Sequence, residues 1–411
     1  MVAICFYFQV HQPYRLNKFS IFDIGKEKSY FDDKKNKEIF DKVSEKCYLE
    51  TNELLLKLLK KHPEFKIAFS FSGVVLKQME EYNPKVLDSF KALVNTGRVE
   101  IIQETFYHSL AFMFSKKEFF RQVQLHKDII KRIFNYDPKI FRNTELIYNN
   151  ELAMTISKMG YKGLILEGVD RILGGRSPNF LYSPVGNKDF KLLLKNYRLS
   201  DDIAFRFSNK GWVDFPLSSE KFTSWVNAVN GNGETINLFM DFETFGEHQW
   251  KDTGIFQFLE KLPEEILKNP SNSFKTPSEV IDSFPIRDEL DIHHFISWAD
   301  LERDTSAWTG NEMQQAAAKY IYEIEEDVLK TNDEELIDIW GKLQTSDHYY
   351  YMCTKWFNDG DVHKYFNPYS SPYDAFINFN NILNDLIQKI EKINKHKINS
   401  ISKKEYKLPF L

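Results

Sequence analysis

Short apolar runs that stop abruptly on polar or charged residues recur through the first 300 or so positions, with amphipathic helical stretches between them. Residues 2–9 are rich in β-formers and run into His11-Gln12-Pro13. Further strands are expected at 65–71, closed by Ser72-Gly73, at 99–102, running into Gln103-Glu104, and at 139–142. The run at 163–166 leads into Glu167-Gly168, either 191–194 or 203–207 supplies the next strand, and 236–240 closes the series. Between them, 50–61 carries Leu54, Leu55, Leu58 and Leu59 at helical spacing, and 85–96, 117–134 and 149–159 repeat the helical pattern, with Gly97 and Gly160 as stop signals. The charged stretch 26–41 has no apolar period and reads as a surface excursion. Strand and helix in this alternation make parallel β/α units, and about seven units in about 250 residues suit a barrel better than an open sheet.

The pattern turns helical after residue 297, with helices expected at 312–329, 333–343 and 373–394 and aromatic, polar loops at 349–356 and 365–373. The division expected is a barrel over 1–298 and a helical C-terminal region over 299–411, packed on the barrel and completing its cleft. The acidic cluster at 323–327 reads as a solvated helix face.

Charge and composition exclude several functions. The chain is 42% hydrophobic and 27% charged with a net charge of −5, the balance of a soluble globular protein. No basic field for nucleic acid is present, since the Lys-rich stretch 389–407 is diluted by Ile and Asn and reads as a solvated helix end. No apolar run approaches membrane-spanning length, and no basic leader opens the chain. Cys5, Cys47 and Cys353 are too few and scattered for a disulfide framework or a zinc site, so a reducing cytoplasm is the expected address. Aromatic residues make up 15% of the chain, which is compatible with sugar platforms without indicating them.

The stretch INLFMDFETFGEHQW (236–250) delivers Asp241, Glu243, Glu247 and His248 to the end of an apolar strand, and FRNTEL (141–146) delivers Glu145 in the same way. A solvated acidic loop would satisfy the same pattern. Two carboxylates at the ends of different barrel strands also suit glycosidic bond cleavage, one attacking the anomeric carbon and the other protonating the leaving oxygen. A separation of about 5–5.5 Å would mean a retaining mechanism. The acid must keep its proton near neutral pH, which a neighbouring negative charge such as Glu243 or an apolar wall can arrange.

HQPY (11–14), GRVEIIQETFYHSL (97–110), FRNTELIY (141–148), MDFETFGEHQW (240–250) and ADLERDTSAWTGN (299–311) resemble, in order, the five sequence regions of glycoside hydrolase family 57. The likeness is to its α-amylase branch and continues into QTSDHYYYM (344–352) and VHKYFNPY (362–369). It implies an incomplete (β/α)7 barrel followed by a helical bundle, acting on α-1,4-glucans with retention and without a cofactor. By the same resemblance Glu145 matches the nucleophile and Asp241 the general acid/base. His11 matches the first-motif histidine at the sugar subsite, Glu243 an acid beside the acid/base, and His108 and Trp250 positions lining the cleft. Asp304 and Trp308 resemble the acidic and aromatic members of the fifth region, where the register of the acid varies in the family. Branching and transferring members tend to carry additional C-terminal domains for which this chain has no room, which favours an amylase-type hydrolase.

Other readings stay open at this level: a 4-α-glucanotransferase, a non-catalytic α-glucan-binding protein, or a metal-dependent glycosidase or deacetylase on a similar barrel. The last would start from His11, whose neighbours Gln12 and Pro13 supply no Asp ligand, and His293-His294 would point to opposite faces of a strand. Gln12, Glu104, Asp201 and Asp202 are candidates for binding sugar hydroxyls. Trp225, Trp298, Trp340 and Trp356 read as packing. No nucleic acid or membrane partner is expected, and the oligomeric state is left open.

Overall fold

The structure is a computed structural model, and its described residues are 1–355 and 367–405, with side chains described to 395. Trp356 and most of the 362–369 motif lie outside the described residues. The chain divides into two compact units: residues 1–12, 37–106 and 122–304 form the first, and 13–36, 107–121 and 305–411 the second.

The first unit contains ten strands: β1 Val2–Val10, β2 Ile67–Phe71, β3 Val99–Ile101, β4 Ile140–Arg142, β5 Gly163–Glu167, β6 Leu181–Pro184, β7 Lys191–Lys195, β8 Thr235–Asp241, β9 Asn272–Phe274 and β10 Ile286–Leu290. Parallel pairing joins β7–β8–β1–β2–β3 on one side and β4–β5–β7 on the other. Two seams are thin. β7 meets β8 only through Lys195 and Asn237, and β3 meets β4 through the single pair Gln103–Phe141. The seven parallel strands therefore form an incomplete barrel rather than a continuous closed sheet. β6 runs antiparallel to β7 and carries β10, while β9 pairs with the start of β1.

Alternation along the strands builds two layers. Ala3, Cys5 and Tyr7 of β1 join Ala68, Ile140, Ile165, Leu193 and Phe239 in the barrel interior. Phe6 and Phe8 face the other way, where Phe8 lies 5.6 Å from Phe69 and 5.5 Å from Phe242. Burial of each such ring contributes about 1.5–3 kcal/mol. Because the strands are parallel, their C-terminal ends gather at one mouth. The side chains become polar towards it: the Tyr7 hydroxyl contacts Gln9 Oε1 (2.8 Å) and Ser70 Oγ (2.7 Å).

Of the two alternative strands, 191–195 is in the sheet. Residues 203–207 are not, because Tyr197–Ala204 is a helix whose N-cap, Asn196, accepts a hydrogen bond from the Leu199 amide. The expected surface excursion 26–41 is corrected in its second half, where Asp33–Val43 is helical and buries Asn36, Phe40 and Val43. That helix passes through a π-turn, Ser44–Tyr48, into the helix Leu49–Lys61.

The second unit is helical, with Glu312–Glu323, Glu325–Lys330, Glu334–Leu343, Ser346–Tyr350 and Pro372–Glu405 as its main helices. Trp340, fully buried, donates its indole N–H to the Ile321 carbonyl. Asn378 accepts from the Phe19 amide and Asp385 from the Gly25 amide, which ties 13–36 to the last helix. Glu325 corrects the reading of 323–327 as a wholly solvated face: it is buried and accepts from Ser115.

Candidate active site

Glu145 follows β4 in a tight turn, Thr144–Leu146, and both Glu145 (φ 59°) and Leu146 (φ 52°) adopt left-handed backbone. For non-glycine residues this costs about 1–2 kcal/mol each. The turn is held by Leu146 N–H to Asn143 O (3.0 Å), Ile147 N–H to Thr144 O (2.9 Å) and Asn143 Nδ2 to Ile147 O (3.0 Å). Trp298 grips the residue from the other side. Its amide donates to the Glu145 carbonyl (3.2 Å) and its indole Nε1 donates to Glu145 Oε2 (2.7 Å).

Cations cover that indole. The Arg142 guanidinium lies 5.2 Å and the Lys195 ammonium 5.4 Å from the Trp298 ring centre. Lys195 pairs with Glu167 (3.4 Å) and Asp201 (3.1 Å), and Arg303 reaches both of the same carboxylates. Burial pulls the Lys195 pKa down, but Asp201 and Glu167 outweigh it, so the ammonium stays charged. Fully buried Arg142 is matched by fully buried Glu104, which also accepts from Gln9 Nε2 at 3.0 Å. Asp202 is held by Arg206 Nε at 2.6 Å. Of the proposed hydroxyl binders, Glu104, Asp201 and Asp202 are therefore engaged in ion pairs.

Asp241 ends β8 in register with Gln9 of β1, so β5 and β7 separate it from β4 around the ring. Phe242 fixes this end by packing between Phe69 (5.1 Å) and the stacked Tyr48 ring (6.2 Å). Glu243 is buried and accepts hydrogen bonds from the Tyr48 hydroxyl and from Gln12 Nε2 (3.4 Å). Burial, reinforced by the charge of Asp241 and only partly offset by those two donors, pushes Glu243 up to about 8. The Asp241–Glu243 pair therefore keeps a proton at neutral pH.

The π-turn and the two helices it joins dock this loop at several points. Cys47 Sγ contacts the Phe242 carbonyl (3.3 Å), Thr51 donates to the Phe245 carbonyl (3.1 Å), and Lys42 pairs with buried Glu247 at 2.6 Å. Gly246 (φ 110°) passes so close that a Cβ there would sit 2.0 Å from the Lys46 carbonyl oxygen, so only glycine fits.

At the end of β1, His11 Nδ1 lies 2.7 Å from Ser72 Oγ, the N-cap of the helix Gly73–Tyr82, and the Gln12 carbonyl accepts from Gln78 Nε2. Trp250 is 53% exposed, with its indole N–H on the Glu247 carbonyl and Lys46 over its ring. Asp304 belongs to the same unit, and its carbonyl accepts from Ser297. His108 and Trp308 belong to the second unit. His108 has left-handed backbone (φ 52°) and its carbonyl accepts from the Ser346 amide, while Trp308 is buried against Tyr350. Sequence reasoning missed Tyr48, and it took Trp298 for packing. Tyr48 stands 195 positions from Glu243 and Trp298 153 positions from Glu145, so no local signal marked either contact.

Among the described residues, no group of three or more His, Cys, Asp and Glu side chains is placed to hold a metal ion, and His293 pairs with Asp291 at 3.0 Å. No helix of the described residues is long and apolar enough to cross a membrane.

Comparison with known proteins agrees with this architecture. A Methanocaldococcus jannaschii protein, provisionally named an alpha-amylase, is 46% identical over 406 residues, covering 95% of this chain and 85% of its own. The 4-alpha-glucanotransferase of Thermococcus litoralis is 27% identical over 254 residues, 60% of this chain but only 37% of that protein. Among solved structures, the GH57-type branching enzyme of Pyrococcus horikoshii superposes with a TM-score of 0.65 at 15% identity, covering 85% of each chain. The sequence pattern of glycosyl hydrolase family 57 matches residues 5–293, and this chain belongs to that family.

Proposed function

We propose that the chain is a retaining glycoside hydrolase of the α-amylase type, acting on α-1,4-linked glucans through a glycosyl-enzyme intermediate. One observation carries the reading: Glu145 and Asp241 end different strands of one ring, the first beside an indole donor flanked by cations, the second beside a proton-holding acid. Environments that drive two carboxyls apart in this way separate an ionised nucleophile from a proton donor. Glu145 attacks the anomeric carbon as Asp241 passes the proton it shares with Glu243 to the departing glucosidic oxygen. Water then attacks the same carbon, surrenders a proton to Asp241 and releases Glu145 as carboxylate, so configuration is retained.

The sugar contacts follow the family motifs: His11, Gln12, Glu243, Trp250 and Asp304 in the first unit, with His108 and Trp308 carrying the same assignment in the second. The name of the M. jannaschii relative supports hydrolysis, and that of the T. litoralis relative favours glucan transfer as the second reading. Three buried cysteines, none in a disulfide, suit a cytoplasmic address.

The test is product analysis of the wild type and Asp241→Asn on maltoheptaose, following the released anomer by NMR. Short α-anomeric products from the wild type, lost in the variant, support the hydrolase. Products longer than the substrate would shift the reading to transfer, and β-anomers would overturn retention.

A further inference from the structure

We propose that Trp298 is a positioning residue for Glu145, its indole N–H keeping the carboxylate ionised and aimed. This rests on the nucleophile role given to Glu145 above and adds a residue to it. The two groups are joined twice, by the main-chain bond from Trp298 N to Glu145 O (3.2 Å) and by the indole bond to Glu145 Oε2 (2.7 Å). With Oε2 engaged, the side chain cannot rotate freely. A donor to the charged form of a carboxyl favours that form.

The indole is itself built in. Arg142 and Lys195 each place a cation within about 5.5 Å of its ring, and Arg303 donates to the Trp298 carbonyl while pairing with Glu167 and Asp201. Cations over an indole draw electron density from it and sharpen its N–H as a donor. The left-handed backbone of Glu145 adds a reason for the clamp. A strained residue persists only where its surroundings over-determine it, and the paired bonds from Trp298 add to the turn's own hydrogen bonds in doing so.

The same residues divide the work. Arg142 and Lys195 are tied to carboxylates of their own, Glu104 for the first and Glu167 and Asp201 for the second. Both cations therefore lie against the same indole that donates to Glu145, which places Trp298 in contact with the nucleophile and with its cationic surroundings at once.

The experiment uses the full chain labelled with [15N]tryptophan. The Trp298 indole signal is identified by its disappearance in Trp298→Phe. In the wild type it should lie downfield and titrate with Glu145, and in Glu145→Gln it should move upfield and cease to titrate. This readout needs no turnover, so it decides the contact even if maltoheptaose proves not to be a substrate. In kinetics, Trp298→Phe should lower kcat roughly ten- to hundredfold with KM little changed, the range of one hydrogen bond to a charged group. The acidic limb of its pH profile should move to higher pH, because Glu145 loses a donor to its charged form. Should Trp298→Phe fold poorly, β-(3-benzothienyl)alanine at position 298 keeps the ring shape and removes only the N–H. An indole signal indifferent to Glu145→Gln, or an acidic limb that stays where it was in the benzothienyl protein, would overturn the proposal.

Discussion

The Glu145 and Asp241 arms of the barrel mouth offer a direct comparison. Each ends a parallel strand of the same ring and presents a carboxyl group, but the surroundings are opposite. Glu145 has an indole N–H on one oxygen and the cations Arg142 and Lys195 behind that indole. Asp241 has a second carboxyl two residues on, and burial together with the charge of Asp241 pushes Glu243 up to about 8 despite the phenol and amide donors on it. Similar strand ends supply the two carboxyls and the surroundings differ, and on the proposed mechanism that difference assigns one to attack and the other to proton transfer.

The strongest way to break the comparison is to remove each carboxyl and change the leaving group. Glu145→Gln and Asp241→Asn should each lose on the order of 10⁴-fold or more in kcat on maltoheptaose. On an aryl α-glucoside whose leaving group needs no proton, Asp241→Asn should recover much of its first-step rate and Glu145→Gln should not. Equal recovery by both would erase the distinction between the arms.

A smaller effect is expected from Tyr48→Phe, which removes the phenol on Glu243. Because that hydrogen bond lowers the Glu243 pKa, its loss should raise the value beyond about 8. Activity should fall about tenfold, with the basic limb of the pH profile displaced upward and the acidic limb unchanged. Displacement of the acidic limb instead would mean that Tyr48 acts on the nucleophile's arm.

Stability sharpens the same point. Glu243 is raised from its ordinary 4.5 to about 8 in the folded chain, so between those values the unfolded state has lost a proton that the folded state keeps. Stability from this group therefore falls as pH rises across that window and levels above it. Glu243→Gln removes the term, and its unfolding free energy should gain on the wild type steadily from about pH 4.5 to 8, by up to a few kcal/mol at about 1.4 kcal/mol per pH unit. A difference independent of pH would show that Glu243 ionises normally. Least of all, Lys42→Met breaks a pair whose lysine is 47% exposed, and should cost about 1 kcal/mol in thermal unfolding while leaving both pH limbs in place.

Much of this architecture was legible in the chain. The strand runs were visible because parallel barrel strands are buried on both faces and stop where the polar mouth begins, as β8 does at Asp241. The five ordered motifs then pointed to the family. Where reading failed, local preference competed with a cap or a distant partner. Residues 203–207 looked extended because of Ile203 and Phe207, yet Asn196 caps a helix that runs through Ala204. The helix Asp33–Val43 hid because only Asn36, Phe40 and Val43 along it are buried. The helix Gly73–Tyr82 followed a strand with no gap, and its Ser72 cap was read as the strand's end. The contacts of Trp298 with Glu145 and of Tyr48 with Glu243 were illegible because each joins positions more than 150 apart.

The most direct test of the division between the arms is covalent trapping. Asp241→Asn, whose deglycosylation step is slowed, is incubated with 5-fluoro-α-maltosyl fluoride, digested and analysed by mass spectrometry. The account predicts one maltosyl adduct on the peptide that contains Glu145, absent when Glu145→Gln is added to the same chain. An adduct on Glu243 or another carboxyl, or steady turnover with inverted product and no adduct, would contradict it.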